Sequence, residues 1–378
     1  MHRLYLCVPI PVRLRKSLYP ALAVILTFIL ALACAKDEDV DPPCPPVPSS
    51  PVNMDLSAVP YPSLADYNFF QGNLADLDPV QGVLPYELIS KLFTDYAEKK
   101  RFIWMPNGVS ASYVSDQDLL DMPTGTVLIK NFYYDNVLPD MQSRIIETRL
   151  LINTGAEWIF AEYVWNDTQT EATLDMDGSF TPVSWIDASD VQQDIQYRIP
   201  SSTECLVCHK KNSLPLPIGP KPQNLNESMT YADGEMNQLA KWESMGYLQS
   251  GYPSDINTVV KWDDPSEDIT LRVRSYIDIN CGHCHAEGSH CDYRPMRFAF
   301  SETSDPVNLG VCVEPDEVIE PQLTHIVASG NINRSVLYYR ISSTNEAERM
   351  PLLGRTIVHE EARAMIQEWI EGLSPPCN

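Results

Sequence analysis

The segment RLLINTGAEWIFAEYVW, residues 149–165, sets the expectation for the first half of the chain. Two runs of branched and aromatic residues flank the connection Asn153-Thr154-Gly155. Such runs favour extended strands, and a short connection containing glycine is typical of a β-hairpin. The run from Gly125 to Ile129 marks the start of another strand. We therefore predict a β-rich N-terminal domain over residues 61–200.

Two copies of the pattern Cys-x-x-Cys-His follow this region, CLVCH at 205–209 and CGHCH at 281–285. This pattern is typical of c-type haem attachment, in which both thiols bond to the haem and the histidine binds the iron. On one helical turn the three side chains share a face. We expect two covalently bound haem c groups, attached at Cys205, Cys208, Cys281 and Cys284, with His209 and His285 as iron ligands.

A zinc site is the main structural alternative, because two Cys-x-x-Cys pairs can bind one tetrahedral ion. The two pairs begin 76 positions apart, at Cys205 and Cys281. Zinc sites of this type usually separate the pairs by about 15 to 20 residues. Zinc also gives no reason for a histidine after each pair, so the pattern favours haem.

The partner of each iron on the opposite side of the haem decides its redox behaviour. For the second haem we predict Met350, which precedes Pro351 and lies between the motif and the last predicted helix. A thioether ligand raises the reduction potential. For the first haem the sequence leaves several methionines and histidines as candidates for the second protein ligand of the iron, and we choose Met245 among them. A first iron without a second protein ligand is the alternative. The other candidates are Met105, Met122, Met229, Met236, His283, His290, His325 and His359.

The amino terminus has the pattern of an export signal. Basic residues precede an apolar run from Leu18 to Leu32, and Ala33-Cys34 follows. We predict a lipoprotein signal peptide over 1–33, lipid attachment at Cys34 that anchors the chain to the membrane, and a Pro-rich tether over 34–60. The acidic residues after Cys34 favour an outer membrane lipoprotein facing the periplasm or the cell surface.

The chain is strongly acidic, with a formal net charge of −24. Loss of residues 1–33 would remove four basic side chains and no acidic one, which lowers this charge to −28. Such a surface disfavours nucleic acid and favours a redox partner protein with a basic docking patch, although solubility alone also explains it.

Four cysteines remain after haem and lipid are assigned and Cys7 is lost with the signal. In an oxidising compartment these should pair. We predict a disulfide between Cys291 and Cys312, with Cys44 to Cys377 as a second pairing. Iron coordination by Cys291 is the alternative.

The region after residue 200 shows helical periodicity. Asp264 and Pro265 resemble a helix start before an apolar stripe that leads to Cys281. We predict a helix over Gln238 to Leu248, and the apolar spacing from Ala362 to Ile370, with Gly372 as a stop, predicts a terminal helix. We therefore predict an α+β chain whose haem segments, 201–262 and 263–378, are mostly α-helical and cytochrome c-like.

Over about residues 64–373 the chain resembles exported dihaem c-type cytochromes with a β-rich N-terminal domain. The resemblance rests on the two haem motifs and on short segments at 84–86, 92–97, 163–166, 218–221, 224–226 and 349–351. It implies single-electron transfer outside the inner membrane without naming the donor. Two alternatives stay open: a dihaem peroxidase with an open first haem, and the electron-accepting subunit of an exported dehydrogenase. An electron carrier is favoured over an enzyme.

Overall fold

The computed structural model describes residues 49–378, and its centre is an antiparallel sheet of eight strands. The strand order is β10-β9-β5-β6-β7-β8, with β4 against β5 and β3 against β4. The strands of this sheet are β3 (Leu84–Tyr86), β4 (Glu98–Trp104), β5 (Val127–Val137), β6 (Gln142–Asn153), β7 (Trp158–Trp165), β8 (Ala172–Leu174), β9 (Ser179–Ile186) and β10 (Gln192–Ile199).

Within residues 49–378, three two-stranded ribbons lie outside this sheet. They pair β1 (Phe70–Gln71) with β2 (Asp78–Pro79), β11 (Lys210–Lys211) with β12 (Leu214–Pro215), and β13 (Ser228–Tyr231) with β14 (Gly234–Asn237).

The predicted hairpin is confirmed. Strands β6 and β7 pair antiparallel, with Leu150 opposite Ala161 and Asn153 opposite Trp158. The side chain of Asn153 accepts a hydrogen bond from the Gly155 amide, which stabilises the connection. The start of β5 at Val127 also agrees with the predicted strand.

Alternation along these strands gives the sheet two buried faces. One face carries Ile129, Leu150 and Ile152 and packs against the aromatic side chains of residues 61–70. The opposite face carries Leu128, Leu151 and Phe160. Because Cys205 packs in the cluster on this second face, the first Cys-x-x-Cys-His motif lies against the sheet.

The prediction that residues 201–378 are mostly α-helical is wrong. About 26% of the residues are in strands and 19% are helical. Proline, glycine and serine are frequent between the helices, for example in residues 213–222, and they favour turns over continued helix. The α-helices are short: α1 (Ser202–Cys208), α2 (Pro222–Leu225), α3 (Gln238–Ser244), α4 (Ile269–Ile277), α5 (Val336–Ser342) and α6 (Glu360–Gly372). The described residues also form three 3-10 turns (Leu64–Tyr67, Leu74–Asp76, Ile332–Arg334) and a π-helical turn (Asp278–Gly282).

The individual helix predictions differ in outcome. Helix α6 is confirmed, with Ala362, Met365, Ile366, Trp369 and Ile370 all buried. The predicted start of α4 is wrong, because Asp268 and not Asp264 caps the helix through hydrogen bonds from Thr270 and Leu271. Asp264 instead accepts hydrogen bonds from Ser266 in a turn.

The predicted cysteine pairing is also wrong. Cys312 is bonded to Cys377, with 5.3 Å between their Cα atoms, and Cys291 is a buried free cysteine. The chain after α6 returns to the segment around Val327, where the Cys312 amide donates to the Val327 carbonyl. The two cysteines therefore meet through the tertiary fold and not through a local loop.

Several predictions fall outside the described residues: the signal peptide, the lipid site Cys34, Cys44 and the tether up to residue 48. Of the tether that is described, Val52, Met54 and Leu56 pack against the core beside the sheet, so these residues belong to the folded body. Within residues 49–378 no helix is long and apolar enough to cross a bilayer.

Candidate haem and metal centre

Helix α1 positions the first motif. Ser201 caps the helix, and its side chain and that of Glu204 form a reciprocal capping box. The helix carries Cys205 and Cys208 and ends with His209 at its C-cap. The cap therefore fixes where this turn begins and holds the three motif side chains on one short helical element.

The His209 ring is oriented by the residues that follow it. Its Nδ1 lies 2.9 Å from the carbonyl oxygen of Leu216, and its ring centroid lies 4.7 Å from that of Phe160. Burial lowers the pKa of His209 to about 3, so the ring is neutral at physiological pH. A carbonyl only accepts hydrogen bonds, so Nδ1 carries the proton and Nε2 keeps its lone pair. A neutral imidazole held in this way is a metal ligand with a fixed tautomer.

Space surrounds the first motif on two sides. A cavity of about 120 Å³ is lined by Cys205, Cys208 and His209 together with residues of the sheet. A cleft of about 550 Å³ borders His209 and the segment from Leu216 to Gly219. The larger volume is within the range of about 300 to 1,000 Å³ usual for cofactor sites.

Cys205 is the more deeply buried thiol of this motif and lies against the sheet. Its sulfur donates to Oε1 of Glu162 at 2.9 Å. Burial raises the pKa of both the Cys205 thiol and the Glu162 carboxyl. Burial therefore favours the uncharged form of the Cys205 thiol in the unmodified chain.

The second motif follows α4 directly. The chain passes through the π-helical turn Asp278–Gly282, in which Asp278 accepts a hydrogen bond from the Phe300 amide at 3.0 Å and pairs with Lys221 at 3.2 Å. The Asn280 side chain accepts from the Phe93 amide at 2.9 Å, which ties the motif to the segment before β4. Buried polar contacts therefore hold the turn that carries Cys281.

His285 and Met350 line one cavity of about 240 Å³, together with Cys281 and Cys291. Burial lowers the pKa of His285 to about 4, so this imidazole is also neutral. Its Nδ1 is buried and has no hydrogen-bond partner in the described part of the chain, in contrast to His209. The structure therefore brings the predicted ligands His285 and Met350 to the same cavity. The ring of His285 is less constrained than that of His209, because no hydrogen bond from the described residues fixes its Nδ1.

The two motifs meet although they are distant in sequence. The Cys208 and Cys284 sulfurs and a ring nitrogen of His283 all lie within 4.8 Å of one another. The contact between the two sulfurs holds the pKa of Cys208 below and that of Cys284 above the ordinary thiol value. A smaller cavity is lined by residues of both motifs and by Met350.

The residues proposed as sixth ligand of the first haem are mostly elsewhere. Met245 is exposed at the end of α3 and does not line either space beside His209. Met105 and Met122 are buried in the core beside the sheet. Of the candidates named from sequence, only His283 borders the first cavity among the described residues. The choice of Met245 as ligand is therefore wrong, because this side chain does not lie beside the first motif.

Sequence reasoning missed three cations on the sheet, Arg101, Lys130 and Arg149, which line the first cavity. The available signal was a basic residue within otherwise apolar strands, as in VLIKNF at 127–132. It also missed the cluster of Cys208, His283 and Cys284, because no local spacing connects those positions.

The donor set at the first motif fits a covalently attached haem, because two thiols and a neutral imidazole lie on one short helix beside a cavity. At the second motif, Cys281 and His285 line the larger cavity, and Cys284 lines the smaller cavity beside them. At the second site a thioether also faces the larger cavity. Cys208, His283 and Cys284 also bring two thiol groups and an imidazole together, and this ligand set suits a metal ion such as Zn²⁺. No family model, curated protein or solved structure matches the chain.

Proposed function

We propose that the protein is a dihaem c-type cytochrome that passes single electrons outside the inner membrane. The observation that carries the proposal is the meeting of the two Cys-x-x-Cys-His motifs, with the Cys208 and Cys284 sulfurs within 4.8 Å. Two haem c groups bound there would supply one-electron redox chemistry. The attachment points on the protein would be close enough for the two groups to be neighbours.

The protein residues contribute burial and ligation. His209 and His285 are neutral, so they offer a nitrogen lone pair without first losing a proton. Met350 lies in the second cavity and would give that site a sulfur ligand and a raised potential. The first site has no methionine in its lining among residues 49–378. We therefore propose two sites of unequal potential within one chain.

The acidic charge of the chain supports a redox partner with a basic patch, and the amino-terminal pattern supports an exported lipoprotein. The redox partner and the export as a lipoprotein are both parts of this proposal. The peroxidase alternative stays open, because His283 borders the first cavity and would serve there either as a second ligand or as a group beside a bound peroxide. The dehydrogenase-subunit alternative stays open as well.

A second candidate is a metal site without haem. It is favoured by Cys208, His283 and Cys284, whose ligand atoms lie together and would need one more ligand for a tetrahedral zinc site. In that case Cys205 and Cys281 would remain free thiols.

Intact mass and metal analysis of the chain, exported from a host that attaches haem, separate the two candidates. The haem proposal predicts two haems and two irons per chain. It also predicts loss of one haem in each of the variants Cys205→Ala/Cys208→Ala and Cys281→Ala/Cys284→Ala. One zinc per chain without haem would contradict it, and in that case the single variants Cys208→Ala and Cys284→Ala would each lose the zinc.

A further inference from the structure

A row of charged side chains crosses the sheet beside the first motif. Arg101 on β4 is opposite Lys130 on β5, Lys130 is opposite Arg149 on β6, and Arg149 is opposite Glu162 on β7. Directly opposite residues of an antiparallel sheet project from the same face. The row therefore places three cations side by side, next to the carboxyl that contacts Cys205.

Most carboxylates near this row already have partners. Both oxygens of Glu147 accept from Arg149, at 2.5 and 2.9 Å, and one also accepts from the Tyr197 hydroxyl at 2.6 Å. Glu87 accepts from Nη1 of Arg101 at 3.0 Å. Glu162 accepts a hydrogen bond from the Cys205 thiol.

Among residues 49–378, two donor groups of this row have no anionic partner: Nη2 of Arg101 and the ammonium of Lys130. Nη2 of Arg101 is buried and has no hydrogen-bond partner in the part of the chain that the structure describes, and the Arg101 side chain is 1% exposed. Lys130 forms no ion pair with any described carboxylate, and its ammonium lies 4.7 Å from the Phe132 ring centroid. Burial beside Arg101 lowers the pKa of Lys130 well below its ordinary value. A buried donor without a partner costs free energy, and a bound anion would accept from Nη2 of Arg101 and favour the charged form of Lys130.

All three cations line the cavity that also contains Cys205, Cys208 and His209. The anion that this space would receive is therefore one that enters together with a group attached at the first motif. Haem carries two carboxylates, its propionates, and arginine and lysine bind carboxylates through short, charge-assisted hydrogen bonds.

We infer that Arg101, Lys130 and Arg149 form a carboxylate-binding row that receives the propionate groups of the haem attached at Cys205 and Cys208. This inference rests on the proposed function. It assigns the sheet a role in seating the first haem, and it makes Lys130 a residue that tunes the potential of that haem alone.

The test is a spectroelectrochemical titration of the full exported chain with both haems attached, in which the two midpoint potentials are followed separately. Lys130→Met should lower one midpoint and leave the other unchanged, because a nearby positive charge favours the reduced iron. Lys130→Arg keeps the positive charge and should leave both midpoint potentials at their wild-type values. Lys100→Met is the matched control, since Lys100 lies on β4 next to Arg101, faces the opposite side of the sheet and is exposed.

A second pair of variants assigns the effect to the first haem. In the chain that carries Cys205→Ala and Cys208→Ala, the substitution Lys130→Met should leave the remaining midpoint unchanged. Arg101→Gln provides an independent variant should Lys130→Met fail to fold, and it should lower the same midpoint.

Unchanged midpoints in Lys130→Met and Arg101→Gln, with two haems present by mass, would overturn the inference and leave the proposed function intact. An equal shift of both midpoints, or the same shift in Lys100→Met, would also overturn it. A wild-type chain that carries no haem would instead contradict the proposed function itself.

Discussion

His209 and Leu216 form a reciprocal pair: Nδ1 of His209 donates to the Leu216 carbonyl at 2.9 Å, and the Leu216 amide donates to the His209 carbonyl at 2.8 Å. The β11–β12 ribbon between them turns at Asn212 and Ser213, both with positive φ. The motif histidine is therefore oriented by its own downstream ribbon before any metal binds.

This arrangement predicts that His209 stays neutral in mild acid. Its pKa is about 3 in the folded chain, below the ordinary value of 6.5, because the ring is buried. In a chain unable to attach the first haem (Cys205→Ala/Cys208→Ala), nitrogen NMR should show the Nδ1-protonated tautomer from pH 7 to pH 5. Titration of this ring near pH 6.5 would contradict the assignment.

The same pKa has a consequence for stability. Between about pH 6.5 and 3 the unfolded state binds a proton that folded His209 does not, so the free energy of unfolding falls as the pH is lowered through this window. In the same background, His209→Gln should make the fall shallower than in the parent chain. Chemical denaturation at pH 7 and pH 5 measures the difference.

The contact between Cys208 and Cys284 predicts a cross-link in the chain without haem. Their sulfurs lie within 4.8 Å, and the pKa of Cys208 is lowered by that contact, which favours the reactive thiolate. Mild oxidation of the full chain made without haem attachment should join these two cysteines. Peptide mapping should find this disulfide in preference to any between Cys205 and Cys281, whose buried thiols have raised pKa values. Thioether attachment would abolish the cross-link, and its absence from the haem-free chain would contradict the geometry.

Two methionines of the second cavity allow a matched comparison. Met350 and Met296 both line this cavity, and Met296 also packs in the adjacent core. Met350→Leu should lower the midpoint potential of one haem, because a thioether ligand raises it. Met296→Leu should change the free energy of unfolding by less than about 1.5 kcal/mol and leave both midpoints unchanged. The opposite pattern would identify Met296 as the ligand.

The disulfide between Cys312 and Cys377 closes a long loop, with a sequence separation of 65. Replacing both cysteines with serine should lower the free energy of unfolding by about 4 kcal/mol, mainly because the unfolded chain gains freedom. Cys291→Ser serves as the control for a cysteine outside the bond. Denaturant unfolding under oxidising conditions measures both, and an equal loss in the control would point to a bond at Cys291.

Local patterns predicted the parts of the fold that depend on near neighbours. The hairpin at 149–165 and the helix from Ala362 to Ile370 each bury one continuous set of side chains, and periodicity reports such sets directly. The start of α4 was misplaced because Asp264 and Asp268 are both good caps, and only the tertiary contacts of the following residues select between them.

The parts that were wrong depend on distant contacts. The helical content after residue 200 was overestimated because apolar residues three or four positions apart also occur in irregular segments that bury side chains. The pairing of Cys312 with Cys377 follows from the return of the chain after α6. The meeting of Cys208 with Cys284, and the row from Arg101 to Arg149, join elements that no spacing in the sequence connects.

The most direct test of the central claim is the electron paramagnetic resonance spectrum of the oxidised, exported chain, recorded with and without hydrogen peroxide. Neighbouring haems predict two low-spin irons whose spectrum differs from the sum of the spectra of the two single-motif variants and does not change with peroxide. A spectrum without haem iron, or one that equals that sum, would contradict the account of two adjacent haems. A high-spin signal that reacts with peroxide and depends on His209 would contradict the electron-carrier assignment and favour a peroxidase.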